Sequence, residues 1–238
     1  MITLAVCNHK GGVGKTTTAL HLAQAWAAEG INVLAIDLDP QGNLTKRLVC
    51  NLLAGQSIGD VLTKRTTITK AAQMVQPHLS VVGADIRLED TAAALQSRSP
   101  NHQFLRHALR QAQMEVDVAI IDCAPAANIL TINAMVAADH MLLVVDPEGD
   151  AIDGSGRMKD MARWLRAEID AGPELLGYVV NRVQPVNMHR AALATIHAMG
   201  VRVFGEVPHR RGADAEAQLV EAYTSFAFDI LGAMGKSC

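Results

Sequence analysis

Short apolar runs recur along this chain, and most are separated by segments long enough to form a helix. The runs at 2–8, 32–37, 79–82, 116–122, 140–146, 176–181 and 202–207 are predicted strands. Their apolar residues are continuous rather than alternating, which is typical of a sheet covered on both faces. The pattern predicts an α/β fold, an open and mainly parallel twisted sheet with helices on both faces. In such folds ligands bind at the carboxyl ends of the strands.

Composition narrows the class of protein. The chain has 238 residues, 50% hydrophobic and 19% charged, which fits a single globular domain over 1–238. No apolar run reaches the ~18–20 residues of a membrane span, and the first run lacks the basic flank of a signal peptide, so a cytoplasmic protein is expected. The four cysteines form no C-x-x-C pair, which argues against a zinc knuckle or a disulfide framework. The net charge of −3 excludes a protein whose whole surface is basic and attracts nucleic acid.

Residues 9–17, His-Lys-Gly-Gly-Val-Gly-Lys-Thr-Thr, fall between the first predicted strand and the first predicted helix (16–28). Glycines there let backbone N–H groups face a phosphate, Lys15 can neutralise phosphate oxygens, and the Thr16 hydroxyl can ligate magnesium. The match to G-x-x-x-x-G-K-[ST] is imperfect, because His9 occupies the first glycine position and Lys10 adds a second cation. The candidate nucleotide-binding residues of this loop are Gly11, Gly12, Val13, Gly14, Lys15, Thr16 and Thr17.

Two carboxylates are predicted to lie beside the loop. Asp39 follows the second predicted strand, at the same edge of the sheet, and suits the orientation of an attacking water. Asp122 ends the apolar run Ala-Ile-Ile-Asp and suits a magnesium shell. Two roles are open for Asp37, which either assists the magnesium shell or holds the loop. Thr16, Asp39 and Asp122 are the candidate magnesium ligands.

With its additional lysine, the loop resembles the deviant Walker A motif of the ParA/MinD family of ATPases. The segments 37–43 (Asp-Leu-Asp-Pro-Gln-Gly-Asn) and 122–138, with Cys-Ala-Pro and Leu-Thr-Ile-Asn-Ala, resemble further motifs of that family. The resemblance implies a P-loop NTPase fold with ATP and Mg²⁺ as cofactors. It also implies that Lys10 reaches across a nucleotide-sandwich homodimer to the partner's phosphates. Lys10, Lys15 and Asp39 are then the candidate catalytic residues.

Two later positions are candidates for binding the base. Asn181 ends the sixth predicted strand and resembles the family's adenine-reading asparagine; a buried turn asparagine is the alternative. Pro208 follows the last predicted strand and matches a position whose backbone touches adenine in the family, although an ordinary turn proline would also stand there.

The resemblance weakens in the last third of the chain. Residues 148–154 and 209–217 depart from the family's usual segments, which leaves the cargo and the partner undetermined. The chain starts at its first strand, without the helix-turn-helix domain of the large plasmid partition ATPases. We therefore expect no reading of a specific operator.

Basic residues are concentrated late in the chain. Residues 151–211 hold nine Lys/Arg against six Asp/Glu. On a predicted helix at 152–169, Met158, Met161, Leu165 and Ile169 form the buried stripe, and the basic side chains can point outward together. Contacts to DNA phosphates without base reading are one interpretation, and a solvated face is the other. The candidate DNA-binding residues are Lys159, Arg163, Arg166, Arg182, Arg190, Arg202, Arg210 and Arg211.

The resemblance, together with the basic residues late in the chain, implies a nucleoid-associated positioning ATPase. Its expected partners are a second copy of the chain, nonspecific double-stranded DNA and a cargo-adaptor protein that stimulates slow hydrolysis; no membrane partner is expected. One alternative is a membrane-associated regulator of the MinD type, which needs a terminal basic amphipathic helix. Another is an iron-sulfur carrier, which needs two cysteines near the dimer axis, and Cys123 has no obvious companion in the sequence.

Overall fold

The computed structural model describes residues 1–49, 51–98, 100–209, 212 and 214–236, and within them the side chains of all but 149–153. The strands are β1 (Ile2–Cys7), β2 (Val33–Leu38), β3 (Gln73–Gln76), β4 (Leu79–Val82), β5 (Val118–Cys123), β6 (His140–Val145), β7 (Glu174–Val183) and β8 (Val203–Pro208). The helices are α1 (Lys15–Ala28), α2 (Asn43–Leu48), α3 (Ile58–Leu62), α4 (Ile68–Ala71), α5 (Leu88–Gln96), α6 (Phe104–Arg110), α7 (Ile129–Ala137), α8 (Gly149–Ile169), α9 (Asn187–Ala198) and α10 (Ala215–Ala233).

These strands form one sheet in the order β3-β4-β2-β5-β1-β6-β7-β8. Every neighbouring pair is parallel except β3 and β4, which are antiparallel. The central strands are buried along almost their whole length, as their continuous apolar sequences predict. The predicted α/β fold with a mainly parallel sheet is confirmed.

All seven predicted strands are present, with ends that differ by a few residues; β7 is the longest and starts before its predicted bound. The pattern missed β3 entirely. Its sequence, Gln-Met-Val-Gln, is short and polar, and none of its residues is buried, because the strand lies at the edge of the sheet. An edge strand of this kind has no apolar run by which the sequence could reveal it.

Helices cover both faces of the sheet. The helix α1 packs against α10 and against β1, β2 and β5, while α6 and α7 pack against each other and α7 contacts the same central strands. The crossover through α1 leads from β1 to β2, and the one through α7 leads from β5 to β6, in the opposite direction along the sheet. Because both crossovers are right-handed, α1 and α7 lie on opposite faces. Within the part of the chain described, no helix combines the length and apolar content needed to cross a bilayer.

The contact between α1 and α10 contains a buried histidine. His21 is 2% exposed, and its ring stacks on that of Tyr223 with centroids 5.0 Å apart. Its Nε2 lies 3.7 Å from the carboxylate of Glu216, too far for a hydrogen bond. Burial lowers the pKa of His21, and the charge of Glu216 only partly opposes this.

This burial predicts a loss of stability in mild acid. The unfolded chain takes up the His21 proton near pH 6.5, whereas the folded chain resists it, so stability falls as the pH drops below that value. Between about pH 7.5 and about pH 5.5 we expect the natural chain to lose up to about 1 kcal/mol more than His21→Phe, which keeps a ring but has no proton site. Urea unfolding of both proteins at both pH values measures this. Equal losses would show that another group carries the acid sensitivity.

Candidate nucleotide-binding site

The phosphate loop leaves the carboxyl end of β1 and enters α1. Gly14 stands at the helix N-cap with φ 103°, and this residue has no side chain that could cap the first amides of the helix. The exposed Gly11 and Gly12 form the outer part of the loop, and Val13 is buried beneath it. The uncapped amides and the positive end of the helix dipole then face the space enclosed by the loop, and this arrangement suits an anion. The loop therefore has the form that the sequence predicts.

Lys15 spans this loop. Its side chain is buried, and Nζ donates to the backbone carbonyl of Lys10 at 3.0 Å. Burial lowers the pKa of Lys15, while the charge of Asp122 opposes the shift. Thr16 and Thr17 follow in the first turn of α1 and are half-buried. The lysine ammonium is thus held inside the loop, where it can neutralise a phosphate.

Lys10 lies at the rim of the loop and is held differently. Its Nζ lies 2.9 Å from Glu148 Oε2 and 3.3 Å from Asp146 Oδ1, in the segment that follows β6. Burial lowers the pKa of Lys10, but the bond to Glu148 and the charge of Asp146 together raise it above its ordinary value. The same contact lowers the pKa of Glu148. Two carboxylates of its own chain therefore hold the second lysine.

The backbone of Lys10 is fixed by Asn8 and by the start of α8. The Asn8 amide donates to the Val144 carbonyl at 2.7 Å, and its Oδ1 accepts from the Lys10 N–H at 2.9 Å. Gly154 of α8 lies so close that a Cβ there would stand 2.5 Å from Asn8 Oδ1. Part of the segment 148–154, which departs from the family pattern, therefore packs directly against the phosphate loop.

Asp39 and Asp37 lie at the carboxyl end of β2. Asp39 is 8% exposed, and its Oδ1 accepts from the Gln41 N–H at 2.9 Å. Asp37 is fully buried and accepts from the N–H of Asp39 at 3.1 Å and from Thr45. Of the two roles open for Asp37, the contacts favour the one that holds the loop.

Asp122 lies in register with Asp37 on the neighbouring strand and is fully buried. Among the residues that the structure describes, neither of its carboxylate oxygens has a hydrogen-bond partner. Burial and then the charge of Asp37 raise the pKa of Asp122 to about 8. The Thr16 hydroxyl and the charge of Lys15 act in the opposite direction and lower this pKa. A cation beside this carboxylate would restore its ionised form. The residues present therefore fit magnesium, which Asp122, Thr16 and Asp39 would hold together with phosphate oxygens.

Asn181 reaches the phosphate loop from β7. It is buried, and its amide donates to the Val13 carbonyl at 3.0 Å while its Oδ1 accepts from the Arg182 N–H. A Cβ on Gly14 would lie 1.8 Å from the Asn181 nitrogen, so a larger residue there would displace the amide. Pro208 ends β8 opposite Val183, two residues past Asn181. Both residues stand at the predicted edge of the sheet, and their contact with a base stays a prediction.

The Leu-Thr-Ile-Asn-Ala segment has a structural role. The side-chain oxygen Oδ1 of Asn133 accepts from the backbone N–H groups of Phe104 and Leu105 and so caps the start of α6. The Asn133 amide donates to backbone carbonyls of Asn101 and Ile129. This motif therefore joins α6 to α7 behind the nucleotide site.

Cys123 does have a companion, which the sequence did not reveal. Its sulfur lies 3.3 Å from that of Cys7 on the neighbouring strand, and both thiols are buried. The contact with Cys7 and burial raise the pKa of Cys123. A cluster shared between two subunits needs thiolates at a surface, and these two lie within the sheet.

The basic candidates occupy several surfaces. Arg182 ends β7 whereas Arg202 precedes the parallel strand β8, so these two lie at opposite edges of the sheet. Lys159 is half-buried, with Nζ 5.9 Å from the centre of the Tyr178 ring. Arg163, Arg166, Arg182, Arg190 and Arg202 are exposed, and Arg210 and Arg211 lie outside the described residues.

The site also contains residues that sequence reasoning missed. Asp146 and Glu148 follow β6, and their position at the carboxyl end of a strand was the available signal. Arg47 of α2 donates to the Thr17 hydroxyl at 3.3 Å, and no local pattern indicates that contact.

Known proteins resemble this chain in sequence and in fold. An AAA domain family model matches residues 1–171. The chromosome partitioning protein ParA of Caulobacter vibrioides is 36% identical over 181 residues, which cover 74% of this chain and 68% of that protein. The sporulation initiation inhibitor protein Soj of Bacillus subtilis is 32% identical over 169 residues, covering 70% of this chain and 67% of Soj.

Solved structures agree on the fold. Cobyrinic acid a,c-diamide synthase from Mycobacterium smegmatis, with a bound ATP analogue and magnesium, has a TM-score of 0.87 at 28% identity and covers 97% of this chain and 94% of its own. The ATP complex of a Cyanothece McdA variant has a TM-score of 0.89 at 21% identity, covering 100% of this chain and 98% of its own. The phosphate loop, the paired strand-end carboxylates and these likenesses agree that the cofactors are ATP and Mg²⁺. The chain belongs to the ParA/MinD family of ATPases.

Proposed function

We propose that this chain is a partition or positioning ATPase that works as a nucleotide-gated dimer. The observation that carries the proposal is the different placement of the two lysines of one loop. Lys15 is buried inside the loop, whereas Lys10 stands at its rim with 23% of its side chain exposed. A cation at the rim is in a position to meet the phosphates of a second copy that faces the same edge.

Hydrolysis follows from the residues around the loop. The amides at the start of α1 and the Lys15 ammonium bind the phosphates and neutralise the charge that develops on them. Asp39, whose carboxylate is fixed by Gln41, orients the attacking water. Magnesium, which Thr16, Asp39 and Asp122 would hold, would neutralise negative charge on the phosphates. Turnover is slow in a single copy, because the second lysine of the proposed site comes from the partner copy, while a copy's own Lys10 is held by Asp146 and Glu148.

In the proposed dimer, Lys10 exchanges these two carboxylates for the phosphates of the partner copy. The exchange replaces one set of charge-assisted hydrogen bonds by another, so it is favourable only when nucleotide is present. This makes ATP the condition for dimerisation.

The closed dimer would bind duplex DNA through its phosphates. The exposed arginines of α8, Arg163 and Arg166, are the candidate contacts from a long helix, and dimerisation doubles their number. Phosphate contacts carry no sequence information and weaken with salt. The protein would then associate with the nucleoid without choosing a site.

A partner protein on a cargo would stimulate hydrolysis and release the dimer from DNA. The names of the relatives include chromosome partitioning and plasmid partition proteins, which supports cargo distribution as the biological role. The cargo would be a plasmid, a chromosome region or a protein body such as a carboxysome. The segments 148–154 and 209–217, which differ from the family pattern, would determine which partner protein binds.

A membrane role of the MinD type has less support. The helix α10 contains Glu216, Glu221 and Asp229 but no Lys or Arg, so it has no attraction for anionic lipid. The ammonium of Lys236, which follows it, pairs with Asp117.

The DNA-binding proposal predicts a mobility shift of random-sequence duplex that requires ATP. We expect a shift with ATP, none with ADP or without nucleotide, and a steep loss of binding as salt rises from about 50 mM to about 200 mM. Lys15→Gln removes the buried ammonium and should abolish the shift. Lys70→Gln, which makes the same charge change at an exposed position on α4, should retain it.

Sedimentation of the same samples separates the parts of the proposal. A chain that dimerises on ATP without shifting DNA would contradict the DNA role alone. A chain that stays monomeric with ATP would contradict the gated dimer.

A further inference from the structure

A buried threonine on α2 connects the end of β2, which leads to Asp39, with the segment that follows β4. Thr45 is 6% exposed, and its hydroxyl donates to Asp37 Oδ2 at 2.6 Å. The same hydroxyl accepts from the N–H of Ala84 at 2.8 Å, just beyond β4. The Thr45 N–H also donates to Asp37 Oδ2, at 2.8 Å. One side chain therefore ties together β2, α2 and the segment after β4.

Asp37 passes this restraint to Asp39. Its other oxygen, Oδ1, accepts from the Asp39 N–H at 3.1 Å, so the Asp37 carboxylate is held by Thr45 on one side and holds Asp39 on the other. Asp37 is fully buried, so bulk water does not compete for these bonds. The orientation of the Asp39 backbone thus depends on a chain of short, buried contacts.

The surroundings allow Thr45 little freedom. A Cβ on Gly83 would lie 2.8 Å from Thr45 Cγ2, so the methyl group packs directly on the glycine backbone. A Cβ on Gly42 would lie 3.1 Å from the Ala84 carbonyl oxygen, so the loop after Asp39 also packs closely on the same segment. These contacts and the two hydrogen bonds of the hydroxyl restrict movement of the Thr45 side chain.

We propose that Thr45 is a positioning residue for ATP hydrolysis, which orients the Asp39 carboxylate by holding Asp37. This rests on the proposed function of Asp39. A carboxylate that orients water must be fixed within a fraction of an ångström, and supporting hydrogen bonds provide this. The restraint acts on the rate of the chemical step and leaves the phosphate loop, which binds ATP, unchanged.

The Thr45→Ser and Thr45→Ala pair tests the hydroxyl, since the two variants differ in that group alone. We expect Thr45→Ala to lower kcat about tenfold with the KM for ATP within about twofold, and Thr45→Ser to keep most of the activity. Thr45→Val keeps the branched shape without the hydroxyl and should resemble Thr45→Ala. Thr63→Val, which removes a hydroxyl bound to the Gly59 carbonyl on α3, is the matched control and should leave kcat unchanged.

A double substitution shows whether Thr45 acts through Asp39. In single-turnover hydrolysis of radiolabelled ATP over hours, Thr45→Ala should cause no further loss in an Asp39→Ala chain. A further loss there, equal activity of Thr45→Ser and Thr45→Ala, or a change in KM alone would overturn the proposal. If Asp39→Ala itself hydrolyses ATP normally, the proposed role of Asp39 fails; if only Thr45→Ala does, the role of Thr45 fails.

Discussion

Asp39→Ala should still bind ATP, with at most about a threefold loss of affinity from the missing candidate magnesium ligand, and should hydrolyse it at least about a hundredfold more slowly. Asp39 contacts the loop after β2 through Gln41 and Gly42, whereas the phosphate loop is built from β1, α1 and Asn181. Removing its carboxylate therefore leaves the phosphate contacts in place and removes the group that orients water. Binding of a fluorescent ATP analogue and release of phosphate, measured on the same preparation, separate the two effects.

Asp160→Ala is the matched control for this result. Asp160 is exposed on α8 and pairs with Arg163 at 3.4 Å, so its loss should change neither ATP affinity nor turnover. If Asp39→Ala hydrolyses ATP at the natural rate, another group orients the water. If ATP binding is abolished as well, Asp39 acts mainly in binding ATP and magnesium, and its assignment to the attacking water is wrong.

Gly14→Ala should weaken ATP binding by at least about tenfold, because two independent constraints act on this position. The φ of 103° is strained for any residue with a Cβ. The added methyl would also stand 1.8 Å from the Asn181 amide, which must then leave the Val13 carbonyl. Loss of that bond deforms the loop and the first turn of α1 together. Titration with the fluorescent analogue, alongside thermal unfolding, measures the effect.

Gly156→Ala provides the comparison within the same protein. Gly156 lies in α8 with nothing within 4 Å of an added Cβ, so alanine should leave ATP affinity unchanged and slightly favour the helix. Near-natural affinity in Gly14→Ala would mean that Asn181 and the loop adapt to the methyl group. The phosphate loop would then not require glycine at position 14.

Local motifs allowed much of this site to be predicted from the sequence. The glycines, Lys15 and Thr16 are contiguous, and a turn between a strand and a helix fixes their geometry almost unaided. Asp122 ends one apolar run and Asp39 closely follows another, and parallel strands deliver their carboxyl ends to one edge of the sheet. The seven apolar strands were predictable for the same reason.

Contacts between distant segments were beyond that reasoning. The contacts of Lys10 with Asp146 and Glu148 of its own chain were not predicted from the sequence. The pairing of Cys7 with Cys123 and the bond from Thr45 to Ala84 also join residues far apart in sequence. The polar edge strand β3 was missed because it needs a partner strand rather than an apolar sequence.

The sequence by itself determined the type of sheet, the phosphate loop and the identity of the two carboxylates, since these depend on residue type and on neighbours along the chain. Only the tertiary structure decided which groups hold those residues: Asn181 on Val13, Glu148 on Lys10 and Thr45 on Asp37. The physical reason is that a buried hydrogen bond is specified by distance and angle, and these are set when the strands and helices pack.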